Sequence, residues 1–286
     1  MPRCAPAEKN AVPAADREGT ETDDAALTGA LPSPPVPRAA LVTGGARRIG
    51  RALVLALAED GFAVAIHHHN SHEEAEALAA GIVRAGGKAV ALTADLADEG
   101  AVDQLLPRAA AALGPIGCLV NNASIFENDT AATASRDSWD RHLAVNLRAP
   151  FVLMQSFARH LPAEAGGVIV NLLDERVWNL TPYFVSYTLS KAGLWNLTQT
   201  MALALAPRIR VNGIGPGPTM PSPRQSAAQF LDRCRKMPLR RGTSPDEIAG
   251  ALRFILAAPA MTGQMIALDG GEHLGWAQPG QGEVVE

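Results

Sequence analysis

The sequence predicts a doubly wound α/β fold, a single parallel sheet with helices on both faces. Three observations carry this prediction. Short apolar runs alternate with longer amphipathic stretches from Ala39 onward, the first run breaks at a glycine-rich turn that opens a helix, and 286 residues with 47% apolar and 19% charged side chains suffice for one large core. Strand–helix–strand units with parallel strands cross over right-handed and cover both faces of their sheet.

The elements follow in order. Ala39–Thr43 is a strand ending at Gly44-Gly45, and Ile49–Asp60 has helical spacing. Ala63–His68 is the second strand. Ser71-His72-Glu73-Glu74 has the form of a capping box and opens a helix that Gly86-Gly87 stops. Lys88–Thr93 is strand three, Glu99–Leu113 a helix, Cys118–Asn121 strand four, Arg136–Leu161 a long helix and Gly167–Leu173 strand five. Tyr183–Ala206 reads as helix and Ile209–Ile214 as strand six. Ser244-Pro245-Asp246-Glu247 caps a helix running to Ala257, with proline at the favoured first position, and Met265–Leu268 is the last strand. Residues 1–37, polar and closing on Pro-Ser-Pro-Pro-Val-Pro, show no period of 2 or 3.6 and read as a disordered extension. The predicted doubly wound domain occupies 38–286 and ends in a short tail.

Net charge is −4 with both signs interspersed, which excludes the basic footprint of a nucleic-acid binder. No run approaches the ~18 apolar residues of a membrane span, and no signal-peptide pattern opens the chain. Three distant cysteines, outside any metal spacing, fit a reduced cytoplasmic protein, with Cys118 in the core.

In doubly wound folds ligands sit beyond the carboxyl ends of the strands. After strand one comes Thr43-Gly44-Gly45-Ala46-Arg47-Arg48-Ile49-Gly50, where glycines allow a tight turn and the helix start offers N–H groups to a pyrophosphate. NAD-binding folds carry an acid at the end of strand two; here the segment is His67-His68-His69-Asn70-Ser71. With Arg47 and Arg48 nearby, arginine, amide and hydroxyl donors favour a 2′-phosphate and hence NADP(H). The three histidines alternate across a strand and cannot converge on one metal, so no metal is expected. Asp95-Leu96 after strand three reads either as an adenine-side contact or, at Asp95, as a helix N-cap. Asn122-Ala123-Ser124 after strand four can pass close to a nucleotide.

Tyr187 and Lys191 lie four apart on one helix face just beyond strand five. A phenol titrates near ~10, and a neighbouring ammonium lowers that, so Tyr187 is the candidate general acid/base for a small-molecule substrate.

Together with Thr43-Gly44-(x)5-Gly50, Asn121-Asn122-Ala123, Asn146, Pro216-Gly217 and Thr262-Gly263-Gln264…Asp269-Gly270-Gly271, these residues make 38–275 resemble the short-chain dehydrogenases/reductases. The resemblance implies a Rossmann-type sheet of order 3-2-1-4-5-6-7, a Lys191 that holds the nicotinamide ribose and lowers the tyrosine pKa, an Asn146 that holds a relay water, and a dimer or, more typically, a homotetramer. Asp174 stands 13 residues before Tyr187, where most members carry Ser or Thr. That aspartate, with Arg48, His69-x-Ser71 and Ser124-x-Phe126, resembles the pteridine reductases. In that group the phenylalanine stacks on a pterin, arginine and serine bind substrate or cofactor phosphates, and the aspartate helps the tyrosine protonate ring nitrogen. Asn70 departs from the arginine common there, and Pro221–Pro238, which should cover the substrate, carries no matching motif. Three functions meet these features: a pteridine reductase acting on dihydropterin or dihydrofolate-type rings, a carbonyl reductase or alcohol dehydrogenase acting on a ketone, and a non-catalytic dinucleotide sensor.

Overall fold

The computed structural model describes residues 33–222 and 224–275. Seven parallel strands form one sheet in the order β3-β2-β1-β4-β5-β6-β7, namely Ala89–Thr93, Ala63–His68, Ala39–Val42, Cys118–Asn121, Gly167–Leu172, Ile209–Pro216 and Met265–Leu268. Alternation along each strand divides the core in two. Ala40 and Val42 of β1 face helices α1 (Arg48–Glu59), α2 (His72–Arg84) and α9 (Pro245–Ala257). Ala39 and Leu41 face the opposite layer, built from α3 (Glu99–Asp103), α4 (Leu105–Leu113), α6 (Ala149–His160) and α7 (Val185–Leu205). Cys118 is fully buried in the first layer, and burial pushes its thiol up to about 12.

Two helices expected to be continuous are interrupted, in each case by proline. Glu99–Leu113 breaks at Gln104 because Pro107 has no N–H for the Asp103 carbonyl; Ser156 Oγ donates to that oxygen instead, at 3.4 Å. The long helix from Arg136 splits into α5 (Arg136–Leu143), a π-turn (Ala144–Arg148) and α6. Pro150 cannot donate to Asn146, and Ala149 N–H reaches back five residues to Ala144. Such π-turns often mark functional positions.

Three further expectations are corrected. Ser71 makes no cap hydrogen bond, and the Glu74 carboxylate that would complete its box pairs with Arg47. Of residues 1–37, those before Ser33 lie outside the described residues, but Pro34–Pro37 pack on the domain: Gly166 N–H donates to the Pro35 carbonyl at 3.0 Å, and Val36 joins the core. The Pro221–Pro238 segment contains a further helix, α8 (Ala227–Lys236), opened by a capping box between Ser226 and Gln229. The expected tail beyond Gly275 also lies outside the described residues.

His67, buried on β2, accepts from Gly44 N–H through Nδ1 at 3.1 Å, while Nε2 meets the Ala94 carbonyl at 3.1 Å. Burial, against the opposing Ala94 hydrogen bond, pushes its pKa from 6.5 down to about 4. An unfolded His67 therefore binds a proton that the folded one refuses. Its stabilisation is complete above pH 6.5 and declines as pH falls toward 4, by about 3 kcal/mol at most. Thermal melts across that window are expected to show a steep loss in the wild type and a shallower one in His67→Gln.

Candidate active site

The carboxyl ends of β1, β4, β5 and β6 open on one cavity of about 230 Å³. Arg48, Ile49, Asn122, Ser124, Phe126, Asp174, Tyr187, Lys191, Pro216 and Gly217 all line it, so the fold brings together residues predicted from segments 169 positions apart.

Thr43 organises the loop end. Its hydroxyl oxygen accepts from the backbone N–H groups of Asn122 (2.9 Å) and Ala123 (3.0 Å). The Asn122 amide returns hydrogen bonds to the carbonyls of Thr43 and Gly44, at 2.8 and 3.1 Å. A β-carbon on Gly50 would collide with the Gly44 carbonyl, so only glycine lets α1 start this close to the loop. No side chain caps α1 and no acid sits in its first turn, which leaves its positive end open to an anion.

The strand-two end is less uniform than expected. His69, Asn70 and Ser71 bring no carboxylate of their own, but Arg47 is paired with Glu74. Arg48 donates to the carbonyls of Pro221 (3.1 Å) and Met220 (3.4 Å) and so fastens the segment that covers the cavity. Asp95 accepts from Ala97 N–H at 2.9 Å and lies 3.9 Å from His69; the N-cap of α3 is Asp98, not Asp95. The Leu96 side chain is buried in the core rather than in the cavity.

Asn146 sits in the π-turn with no exposed surface. Its amide nitrogen donates to the Ile125 carbonyl and to Ser190 Oγ, both at 3.0 Å, and its oxygen accepts from Ile125 N–H at 2.9 Å. It thereby joins the segment after β4 to α7. Phe184, at the start of α7, has φ 58° and offers no cap; Asp129 takes the Ser186 N–H instead, at 3.1 Å.

The chemical groups meet on β5 and α7. Tyr187 Oη donates to Asp174 Oδ2 at 2.6 Å, and Asp174 Oδ1 accepts from Arg176 N–H at 2.9 Å. Lys191 Nζ donates to the Leu172 carbonyl at 2.7 Å, and burial brings its pKa down to about 8. The tyrosine departs from expectation. Burial, and then the adjacent Asp174 carboxylate, push its pKa well above 10, because the phenol faces a carboxylate at hydrogen-bond distance while the ammonium is turned to a carbonyl. Phe126 stacks on Phe184 (4.4 Å, 6°) and meets Tyr187 edge-on (4.6 Å).

Sequence reasoning did not find the charged cluster beyond Asp174. Glu175, 2% exposed, and Arg176 both line the cavity, as does Arg233 of α8. Arg233 lies 3.6 Å from Glu175 and 3.0 Å from Glu272 of the C-terminal turn. The Ser226-x-x-Gln229 box was the available signal for α8. Nothing local links Glu175 to residues about sixty and a hundred positions away.

Among the described residues, no group of three or more His, Cys, Asp or Glu could hold a metal, and no helix is long and apolar enough to cross a membrane.

The family model described as short chain dehydrogenase matches residues 38–230. A 3-oxoacyl-(acyl-carrier-protein) reductase from Synechocystis sp. is 33% identical over 238 residues, covering 81% of this chain and 95% of the relative. Among solved structures, FolM alternative dihydrofolate reductase 1 from Brucella canis, complexed with NADP, is 49% identical with a TM-score of 0.82, covering 85% of this chain and 97% of its own. A short-chain dehydrogenase/reductase from Serratia marcescens is 36% identical with a TM-score of 0.76, covering 83% and 98%.

Thr43→Val keeps the shape but leaves two backbone N–H groups without their acceptor. Such a loss costs about 1–3 kcal/mol, and a melting temperature lowered by several degrees is the expected readout.

Proposed function

The chain belongs to the short-chain dehydrogenase family, and on that premise we propose that it is an NADPH-dependent reductase taking dihydropterin or dihydrofolate-type rings to the tetrahydro level. The observation that carries the reading is the 2.6 Å hydrogen bond from Tyr187 to Asp174 inside the cavity.

The loop end fits a dinucleotide. The uncapped start of α1 suits a pyrophosphate, with Gly44, Ile49, Gly50, Asn122, Ala123 and Ser124 around it. His69, Asn70, Ser71 and Arg47 suit a 2′-phosphate, with Glu74 offsetting part of the Arg47 charge. Asp95 sits on the adenine side, Lys191 would hold the nicotinamide ribose, and Pro216-Gly217 its ring. The bound cofactor would supply the hydride. The identity with NADP-bound relatives supports this choice.

The remaining requirement is a proton. A Tyr187 with raised pKa stays protonated through neutral pH and points its proton along the line to Asp174. A reduced C=N bond takes its proton on nitrogen, which is more basic than a carbonyl oxygen and can accept from so weak an acid. Phe126 offers an aromatic face for a flat ring, and Arg48 and Ser124 offer donors at its edge. Asn146, by holding Ile125 and Ser190, keeps the two walls of the cavity in register. A cytoplasmic homotetramer accompanies this reading.

The second reading, reduction of a ketone, is favoured by the 33% identity to a 3-oxoacyl-(acyl-carrier-protein) reductase. NADPH oxidation with 7,8-dihydrobiopterin, against NADH and a ketone panel, separates the two. Rapid pterin-dependent oxidation of NADPH is expected; turnover with ketones alone overturns the pterin reading. Asp174→Ser is expected to lower pterin kcat by about 10²-fold or more while sparing any ketone turnover, and Tyr187→Phe to abolish both.

A further inference from the structure

The stretch from Pro218 to Arg241, which supplies Met220, Ser222, Gln225 and Phe230 to the cavity wall, reverses the sign of the chain. Arg224, Arg233, Arg235, Lys236, Arg240 and Arg241 stand against one acid, Asp232, in a protein of net charge −4. Basic residues grouped beside a cleft draw anions toward it. Part of this charge is answered internally: Arg233 meets Glu175 and Glu272, Lys236 meets Asp232, and Arg241 meets Glu247. Arg224 has no carboxylate partner among the described residues; its contacts are a backbone carbonyl and an aromatic ring.

An exposed arginine needs no partner by itself, and what singles out Arg224 is its place. Nη2 donates to the Phe126 carbonyl at 2.8 Å, and Cζ stands 5.5 Å from the centre of the Phe126 ring. Phe126 lines the cavity, whereas Arg224 is exposed outside it, so the guanidinium stands at the rim beside that ring. The ring itself is well held. Phe184 covers one face, Asn146 Oδ1 accepts from Ile125 N–H at 2.9 Å, and His142 Nε2 accepts from Glu127 N–H at 3.2 Å. These bonds fix the backbone on both sides of Phe126. The Phe126 carbonyl occupies only part of the guanidinium fork, which leaves planar N–H donors for a carboxylate or phosphate.

We propose that Arg224 is a specificity-determining residue that takes an anionic group, carboxylate or phosphate, on the short side chain of a dihydropterin. The proposal rests on the reading of the cavity as a pterin site with its ring on Phe126, and it narrows that reading. Tyr187 meets Phe126 edge-on at 4.6 Å, so a ring lying there has its reducible bond toward Tyr187 and Asp174 and its substituent toward the rim. The Asp174 carboxylate at the inner end opposes the reverse orientation of an anionic ligand. A guanidinium this close to Phe126 reaches a charge on the first few atoms of the side chain. The carboxylates of a folate-type side chain lie past a further benzene ring, out of reach while Arg224 keeps its bond to Phe126.

The test is equilibrium binding to the full chain with NADP⁺ present, followed by the fluorescence of two pterins that differ in a single one-carbon group. Pterin-6-carboxylate is anionic there and 6-hydroxymethylpterin is not. Wild type is expected to bind the carboxylate about tenfold more tightly, the effect of one charge-assisted contact. Arg224→Met, which keeps an apolar stem against Phe126, should bring the ratio close to one, and Arg224→Lys should restore part of it. Added salt should narrow the wild-type ratio and leave that of Arg224→Met where it is. A wild-type ratio near one, or a ratio that Arg224→Met leaves unchanged, overturns the proposal. So does tighter binding of both pterins by Arg224→Met, which makes the guanidinium an obstacle to the ring. Failure of the underlying reading looks different: neither pterin binds to wild type or variant, and the assignment of Arg224 falls with it.

Discussion

The cavity is arranged around the carboxylate of Asp174. Its side chain is 15% exposed, and a charge so placed costs several kcal/mol unless hydrogen bonds and opposite charges surround it. The Tyr187 phenol, the Arg176 N–H and the Arg176 guanidinium supply those partners. The phenol proton is held more tightly, and Asp174 and Arg176 both act on the neighbouring Glu175, which Arg233 joins to Glu272.

Delivering that carboxylate depends on the register of the central strands. Asn121, Asn171 and Gly213 lie in one row across β4, β5 and β6. The Asn121 amide donates to Asn171 Oδ1 at 2.8 Å, and the Asn171 amide donates to Thr198 of α7 at 2.9 Å. This buried polar ladder locks α7 against the sheet one residue before Leu172, whose carbonyl Lys191 grips. Asp174 is two residues further on. A slip of one residue would turn every one of these side chains to the other face, so the hydrogen bond from Tyr187 reports the pairing of the entire sheet. The π-turn contributes from the far side: Pro150 disrupts the helix where Asn146 must reach both Ile125 and Ser190.

Most of the fold was legible because it is written in short-range signals. Alternation marked the strands, glycine and proline marked their ends, and Tyr187, Lys191 and Asp174 could be placed because the end of a parallel strand is a predictable location. What was not legible is the choice of partner by long side chains. Arg47 takes the Glu74 carboxylate expected in the box at Ser71; Arg48 takes two carbonyls of the covering segment; Glu175 meets Arg233. Such choices depend on three-dimensional proximity within a few ångströms and leave no spacing to read. Other differences were written in the sequence. Pro107 and Pro150 announce the breaks in two helices, and Ser226 with Gln229 announces α8. The pKa of Tyr187 was misjudged for a more basic reason: spacing shows Lys191 four residues along the same helix, but not the burial of the phenol or the carboxylate thirteen residues earlier that it touches.

That reversal bears on which reaction the site favours. A neighbouring ammonium alone makes a tyrosine a stronger acid, against the opposite effect of burial, and suits it to an oxygen that gains negative charge as hydride arrives at a carbonyl carbon. With a carboxylate at 2.6 Å the same tyrosine is a weaker acid that keeps its proton until a more basic acceptor approaches. An imine-type ring nitrogen is such an acceptor, and the carboxylate that raises the donor also stabilises positive charge developing on the protonated ring. A ketone gains little from either effect and loses acid strength. On the proposed reading, the aspartate would disfavour one substrate class by the same interaction that favours the other, and the discrimination would lie in the proton donor as much as in the shape of the cavity.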